Sequence, residues 1–275
     1  MKRLLTLCLL LTVSGTAYSD GSPWLLPDGA ININLTRTEA SSDDFFIGDT
    51  STDIGGTLEG EFTWLKATYG LNDVWAFDAR IGYAETSFEG SLSDQADFAD
   101  TSIGVSYQFI NEFEADNGTP TITGRLGYTI GGDYEPDIIE AIGDGASGFD
   151  VSLLVGKSLT PAWAVFGDLT FRQRDSGVPD GIKYIVGGSY NPPIPYLSFL
   201  LSLAGTRTDS DINLGGGGLG IDEFSQTDRD SDLVVAGFNL NLPFGIGFGA
   251  SYSAIIDASN QSDSDVLAIN LGYTF

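Results

Sequence analysis

The chain has 275 residues, of which 38 are acidic and only 12 are basic, giving a formal net charge of −26. Such acidity argues against a nucleic-acid partner, because a phosphate backbone would be repelled. A hydrophobic fraction of 42% and an aromatic fraction of 12% are too high for a disordered acidic chain.

Residues 1–19 have the pattern of a secretory signal peptide. Lys2 and Arg3 supply its positive charge, and the apolar run 4–13 is shorter than the roughly 20 residues that a transmembrane helix needs. Residues 17–19 place small side chains at both positions that signal peptidase reads. A core helix or a membrane anchor is the alternative interpretation.

Cleavage before Asp20 would leave a single domain, residues 20–275. It would also remove Cys8, the one cysteine of the sequence, so the mature protein needs no disulfide. No second apolar run is long enough for a helix across a bilayer, so any membrane insertion must use strands of a closed barrel.

Hydrophobicity alternates with a period of two along most of the remaining chain, which indicates strands with one apolar face. Each predicted strand is close to the 9–11 residues that a tilted transmembrane strand needs, to within a few residues. The predicted strands are 29–37, 57–69, 74–86, 99–110, 119–131, 148–158, 162–174, 181–190, 196–208, 232–242, 245–256 and 264–275.

Short turns alternate with long acidic connections between these strands. This alternation predicts an all-β fold, a transmembrane antiparallel up-and-down β-barrel of about 12 strands in the outer membrane of a Gram-negative bacterium. A soluble sandwich or lipocalin-like barrel would carry many charges on the face opposite the apolar one, whereas here that face is mostly small. The acidic connections are 38–56, 87–98, 132–147, 175–180, 209–231 and 257–263.

The last predicted strand ends the chain on its apolar face with Leu271, Tyr273 and Phe275. A terminal aromatic residue in this position is typical of the signal that barrel-assembly machinery recognises. That machinery, outer-membrane lipid and lipopolysaccharide are therefore the expected partners, and a small apolar solute is a further one.

Two parts of the chain, residues 64–88 and 98–190, resemble the outer-membrane proteins named after the phenol-degradation meta-pathway. The resemblance implies a barrel that helps apolar aromatic molecules to enter the cell, and it brings no site residues with it. The matching segments are 69–73, 103–109, 142–145, 149–159 and 171–190.

Catalysis is constrained by the absence of histidine from the whole sequence. A Ser-His-Asp triad, a Cys-His pair and a zinc site containing histidine are all impossible. Carboxylate pairs could still perform acid–base chemistry, but no spacing singles out a pair. We therefore predict no enzyme and no cofactor.

Charged residues on the predicted inner faces of strands are the candidate site residues. A charge that faced lipid would cost roughly 2–4 kcal/mol near the bilayer midplane, which favours the lumen. These charges form either a constriction that selects what crosses or an ion-pair network that fills the lumen. The candidates are Glu59, Glu61, Asp78, Arg80, Arg125, Asp168, Arg172, Arg174 and Lys183.

Three further features leave alternatives open. Lys66 breaks the alternation beside Trp64, so it either reaches an interface or marks a bulge. The acidic connections either bridge divalent cations or are simply solvated. The apolar pairs 45–46 and 138–139 either form an apolar access site or pack locally to hold a loop down.

Two functions follow from these observations. The first is a channel or facilitator for small, apolar or aromatic solutes, since about 12 strands lie between a filled eight-stranded barrel and an open 16-stranded pore. The second is a closed structural or adhesive barrel that works through its acidic loops.

Overall fold

The computed structural model describes residues 21–89, 94–115, 118–214 and 221–275, with only the backbone described for 221–223. It confirms the predicted fold class, because twelve antiparallel strands form one closed barrel. The predicted signal peptide lies outside the described residues. The strands are β1 (Ile31–Ile47), β2 (Thr50–Asn72), β3 (Trp75–Phe88), β4 (Gln95–Ile110), β5 (Thr121–Ile130), β6 (Gly148–Thr160), β7 (Trp163–Arg174), β8 (Gly181–Tyr190), β9 (Leu197–Thr208), β10 (Ser231–Asn241), β11 (Ile246–Ala258) and β12 (Asp265–Thr274).

Two short 3₁₀ helices, Ile221–Gln226 and Pro243–Gly245, lie between strands. No helix within the described ranges is long and apolar enough to cross a membrane.

Closure of the barrel depends on the pairing of the first strand with the last. β1 and β12 pair from Asn32 opposite Thr274 to Ser41 opposite Asp265. Each remaining strand pairs with its neighbours in sequence. The transmembrane part of the sheet therefore has no free edge, which is the condition for strands to lie in lipid without unpaired backbone groups.

The outer face carries an apolar belt bounded by aromatic side chains. Residues such as Leu153 and Leu201 are 49% and 61% exposed on this face, which suits contact with lipid rather than water. Rings pair at the end with the short connections, here the turn end, and at the opposite loop end. These ring pairs are Trp75–Tyr107 and Trp163–Tyr190 at the turn end, and Tyr83–Phe98 and Tyr128–Phe149 at the loop end.

The segment 38–56, predicted as a loop, instead forms the loop-end part of a long β-hairpin. β1 continues to Ile47 and β2 starts at Thr50, with a tight turn in which Gly48 has a φ of +57°. Polar residues occupy both faces of this extension, so no apolar alternation marks it in the sequence. The strands continue past the apolar belt because their backbones stay paired, not because one face is apolar.

Loops at the loop end pack together into a cover that we call the loop lid, made of residues 45–50, 131–147, 209–214, 221–230 and 259–264. Phe45 is 6% exposed and its ring lies 5.8 Å from that of Phe224. Phe45 also forms an isolated bridge with Ser262. Phe45 therefore packs locally within the lid, which was one of the two interpretations that the sequence left open for the pair 45–46.

Asn260 joins three of the lid segments and is completely buried. Its Oδ1 accepts hydrogen bonds from the backbone N–H of Gly48 at 2.9 Å and of Leu214 at 3.0 Å. Its Nδ2 donates to the carbonyl of Asp228 at 2.6 Å. A single side chain thus connects the β1–β2 hairpin with two other loops.

Replacing Asn260 by alanine is expected to loosen the lid without opening the barrel. It removes the partner of the buried Gly48 N–H, which costs about 1–3 kcal/mol, and of two partly buried groups, the Leu214 N–H and the Asp228 carbonyl, which cost less. Limited proteolysis should cut the loops of Asn260→Ala much faster than those of the original protein, while the heat-modifiable band of the folded barrel persists on a gel. Asn72→Ala is the matched control, because Asn72 also accepts from two backbone N–H groups but is exposed at the turn end. Equal cleavage of both variants would contradict a lid held by Asn260.

Candidate functional site: a lumen with two unlike walls

Alternation along each strand separates inner from outer side chains, and most of the candidate charges lie on the inner side. Their neighbours on each strand are exposed apolar residues that face outward. The candidates in the lumen are Asp78, Arg80, Arg125, Asp168, Arg172, Arg174 and Lys183.

Glu59 and Glu61 are the exceptions, and their predicted place in the lumen is wrong. Both are exposed on either side of the buried Gly60, and they share the outer face of β2 with Leu65. The Glu61 carboxylate pairs with Arg37 of β1, and both side chains are about half exposed. These charges lie on the outer surface at the loop end, beyond the apolar belt.

The cause of that error is the orientation of Trp64. An aromatic residue suggested the lipid face, but Trp64 and Lys66 both point inward, and Trp64 stacks on Phe62 with ring centroids 6.2 Å apart. The ring fits because Gly82 lies beside it on β3, where an added Cβ would come within 2.4 Å of the indole. Lys66 therefore follows the alternation, and no bulge is needed to explain it.

Charges on the inner faces of β3 to β7 form a polar wall of ion pairs. Arg125 donates to Asp78 through Nε at 2.9 Å and through Nη2 at 2.6 Å, and both side chains are at least 93% buried. Asp150 pairs with Arg174 at 2.9 Å and with Arg172 at 3.6 Å. Such pairing is what a buried charge requires, and it favours the ion-pair interpretation of these candidates.

Residues 21–30, here the N-terminal segment, lie inside the barrel at the turn end. The Pro23 carbonyl accepts hydrogen bonds from Gln108 Nε2 at 3.0 Å and from Thr123 Oγ1 at 2.7 Å. An added Cβ at Gly156 would come within 2.6 Å of the Trp24 ring. The segment therefore fills space that side chains on the inner wall would otherwise occupy.

Sequence reasoning missed this segment, because residues that lie in a lumen without forming a strand carry no periodic pattern. The available signal was glycine at inward positions of β2 and β6, but such glycines are common in barrels. Only the folded structure brings residues 21–30 against positions that are distant in sequence.

Glu112, in the connection between β4 and β5, anchors the N-terminal segment. It accepts hydrogen bonds from the Trp24 indole N–H at 2.9 Å and from the Ser158 backbone N–H at 3.0 Å, and it pairs with Lys157 at 3.1 Å. Burial alone would raise the pKa of Glu112, but these donors outweigh burial and hold the pKa below its ordinary value. The carboxylate is therefore charged at neutral pH.

An apolar patch on the inner faces of β7 to β10, here the apolar wall, was not revealed by the sequence. Ile185, Ala204 and Leu233 are at most 7% exposed and stand in one row across adjacent strands, and Val235 and Phe166 extend the cluster toward the turn end. These residues also interrupt the small polar inner faces expected of a water-filled barrel. The lumen thus has buried ion pairs on one side and an apolar patch on the other.

A cavity of about 270 Å³ lies against the apolar wall, beneath the loop lid. Its apolar lining is Ile185, Ala204, Leu233, Ile255 and Val266. The volume falls just below the range of roughly 300–1,000 Å³ that is usual for drug-sized ligands. The cavity can therefore hold one small molecule.

The barrel wall beside this cavity is discontinuous at the loop end. β11 and β12 pair only from Ile246 opposite Tyr273 to Ser253 opposite Val266. Beyond that point β11 stays with β10 up to Ala258, whereas the chain before β12 follows β1. The cavity is lined by residues from both sides of this split, including Ile255 on one side and Ser262 and Ser264 on the other.

Acidic clustering does not create a metal site in the described parts of the loops. No group of three or more acidic side chains there is placed to hold one ion. Several lid acids instead bond to protein groups, as Asp144 does to Arg229 at 3.0 Å.

The barrel is similar to solved outer-membrane proteins. An outer membrane channel from Pseudomonas putida F1 matches with a TM-score of 0.74 at 15% identity, over 94% of this chain and 99% of that one. The translocator domain of the autotransporter NalP from Neisseria meningitidis matches at 0.54 and 12%, over 91% and 90% of the two chains. The KdgM porin matches at 0.52 and 9%, over 88% and 99%.

Identities this low establish the fold of an outer-membrane barrel and nothing finer. No protein-family model matches the chain, and no curated protein does. The resemblance to the phenol-degradation proteins therefore stays a prediction.

The buried pair on the polar wall should contribute to stability only as a pair. Arg125→Met leaves the Asp78 charge buried alone and should cost about 3–5 kcal/mol of unfolding free energy, whereas Asp78→Asn combined with Arg125→Met should recover most of that loss. Denaturant unfolding of the lipid-reconstituted barrel measures both. Arg37→Met, which breaks the exposed pair with Glu61, is the control and should cost no more than about 1 kcal/mol. A double variant whose free energy of unfolding is as low as that of Arg125→Met would contradict this prediction.

Acid should release the N-terminal segment. Because the folded-state pKa of Glu112 is lowered, its stabilising effect is complete above the ordinary carboxyl pKa and is lost as the pH falls through the folded value. At neutral pH, Glu112→Gln should weaken the binding of the N-terminal segment to the lumen by about 1.5 kcal/mol. The population in which the segment is released should therefore be roughly tenfold larger.

The release can be followed with Ser22→Cys, which gives the mature chain a single thiol if the signal peptide that contains Cys8 is removed. A nitroxide attached to this thiol before the pH is changed should become more mobile, by electron paramagnetic resonance, as the pH falls below the ordinary carboxyl pKa in the original background, and it should be more mobile at pH 7 after Glu112→Gln. Glu114→Gln is the matched control, since Glu114 lies in the same connection and should leave the mobility of the nitroxide unchanged. A mobility that changes neither with pH nor with Glu112→Gln would disprove the anchor.

Proposed function

We propose that the protein is an outer-membrane channel or facilitator for small apolar or aromatic solutes. The observation that carries the proposal is the cavity of about 270 Å³ on the apolar wall, because a lumen that served only water-soluble solutes has no use for a buried apolar surface. Two of the similar barrels, the Pseudomonas putida protein and KdgM, are described as a channel and a porin, which is consistent with this class of function.

The route that we propose is lateral rather than axial. The loop lid covers the cavity from the loop end, and the N-terminal segment lies in the lumen at the turn end. The split between β11 and β12 adjoins the cavity at the upper edge of the apolar belt, where Ile256 is 61% exposed on the outer face. An apolar molecule in the outer leaflet would therefore reach the cavity through the wall and would leave by the turn end after the N-terminal segment moves.

The alternative, a closed structural or adhesive barrel with acidic outer loops, also has an observation in its favour. Ion pairs, the N-terminal segment and the loop lid fill or cover much of the lumen. That alternative gives no account of the apolar wall, because a permanently closed interior would be more stable if the space were packed.

The two functions differ in the uptake of an apolar probe. Intact cells that carry the protein should take up N-phenylnaphthylamine, an aromatic probe that lipopolysaccharide excludes, several times faster than cells that lack it. Leu233→Gln puts an amide on the apolar wall and should abolish the increase. Leu200→Gln is the matched control, because Leu200 is 7% exposed on the inner face of β9 but does not line the cavity.

Conductance of the purified barrel in a planar bilayer separates the possible routes. Rapid probe uptake without current steps supports the lateral route, and current steps that an aromatic solute reduces support an axial pore. A folded barrel that neither conducts nor accelerates uptake would overturn the proposal and leave the structural alternative.

A further inference from the structure

The polar groups that line the cavity lie closer to the loop end of the barrel than its apolar residues do. Lys183, Thr206 and Ser231 stand opposite one another on β8, β9 and β10 and form a row on the inner face. This row lies one step closer to the loop end than the apolar row that contains Ile185 and Leu233. Polar and apolar surfaces are thus stacked along the barrel axis.

The loop lid adds further hydrogen-bonding groups on the same side of the cavity. Gln261, Ser262 and Ser264 line it from above, and Ser264 donates to Ser262 at 2.8 Å. A ligand in the cavity would therefore have its apolar part toward the turn end and its polar part toward Lys183 and the lid.

The charge of this lining is opposite to that of the protein. The chain has 38 acidic residues and a net charge of −26, but the described residues that line the cavity include Lys183 and no carboxylate. The nearest inward acid on the adjacent strand is Asp168, which stands opposite Ile185 and lies outside the lining. An ammonium in such a setting favours a negatively charged partner and disfavours a cation.

We infer that the cavity binds a small monocarboxylate with an apolar body, such as an aromatic acid, and that Lys183 recognises its carboxylate. This inference rests on the proposed function, because it names the solute class of the same cavity. Lys183 already makes an interaction within the protein, so the ligand competes for the ammonium. The hydroxyl groups of Thr206 and Ser231 lie on the same row and can donate to the second carboxylate oxygen.

Three near-isosteric probes of different charge test the inference. Benzoate, benzyl alcohol and benzylammonium share one ring and differ in the charge of the head. Titration calorimetry on the full barrel in lipid nanodiscs, with empty nanodiscs subtracted, gives their affinities. We expect benzoate to bind about tenfold more tightly than benzyl alcohol, the ratio for one charge-assisted hydrogen bond, and benzylammonium to bind most weakly.

Substitution of the lysine should remove the preference and leave the apolar contribution. Lys183→Met should lower benzoate affinity to that of benzyl alcohol, whose own affinity stays unchanged, and Lys183→Gln provides a second variant in case the first does not fold. Lys66→Met is the matched control, because Lys66 points into the lumen from β2 and does not line the cavity.

Equal affinities for benzoate and benzyl alcohol, or a preference that survives both Lys183 variants, would overturn the inference and leave the proposed function intact. No binding of any probe, together with accelerated uptake of N-phenylnaphthylamine, would do the same. No binding and no uptake would overturn both.

Discussion

Backbone hydrogen bonding in a medium without water is the constraint on which this structure depends. Each strand has partners on both sides, and the β1–β12 pairing completes the circle. Closure also fixes which side chains face inward. Successive side chains of each strand point to opposite faces of the sheet, so in a closed sheet they alternate between the lumen and the outside. The point where pairing between β11 and β12 ends is consequently significant, since the proposed lateral route passes there.

Burial of charge explains why the lumen is divided. Arg125, Asp78, Asp150 and Arg174 are almost completely buried and stable only as hydrogen-bonded pairs, which requires each charge to lie within reach of its partner on the same side of the lumen. Their concentration on β3 to β7 leaves the opposite strands free to carry apolar residues. The cavity lies on that opposite side, so the separation of charge from apolar surface creates a site for a molecule that itself has two unlike ends.

Segments outside the strands cover both ends of the lumen and are held there by polar contacts. Asn260 contributes to the loop lid through three backbone groups, and Glu112, which also accepts from Ser158 of β6, holds the N-terminal segment through Trp24. Loops and terminal segments can open locally while the rest of a protein remains folded. A closed interior and the proposed transport function are therefore compatible.

The sequence by itself determined the barrel, the number of its strands and the inward position of most lumen charges, because alternation with a period of two is a local property. It failed on β2 because an aromatic side chain there does not face lipid: Trp64 points inward over Gly82, so Glu59 and Glu61, which alternate with it, face outward rather than into the lumen. The β1–β2 extension has no apolar face and was read as a loop. The N-terminal segment, the apolar wall and the cavity were decided only by tertiary structure, because they arise from contacts between residues far apart in sequence.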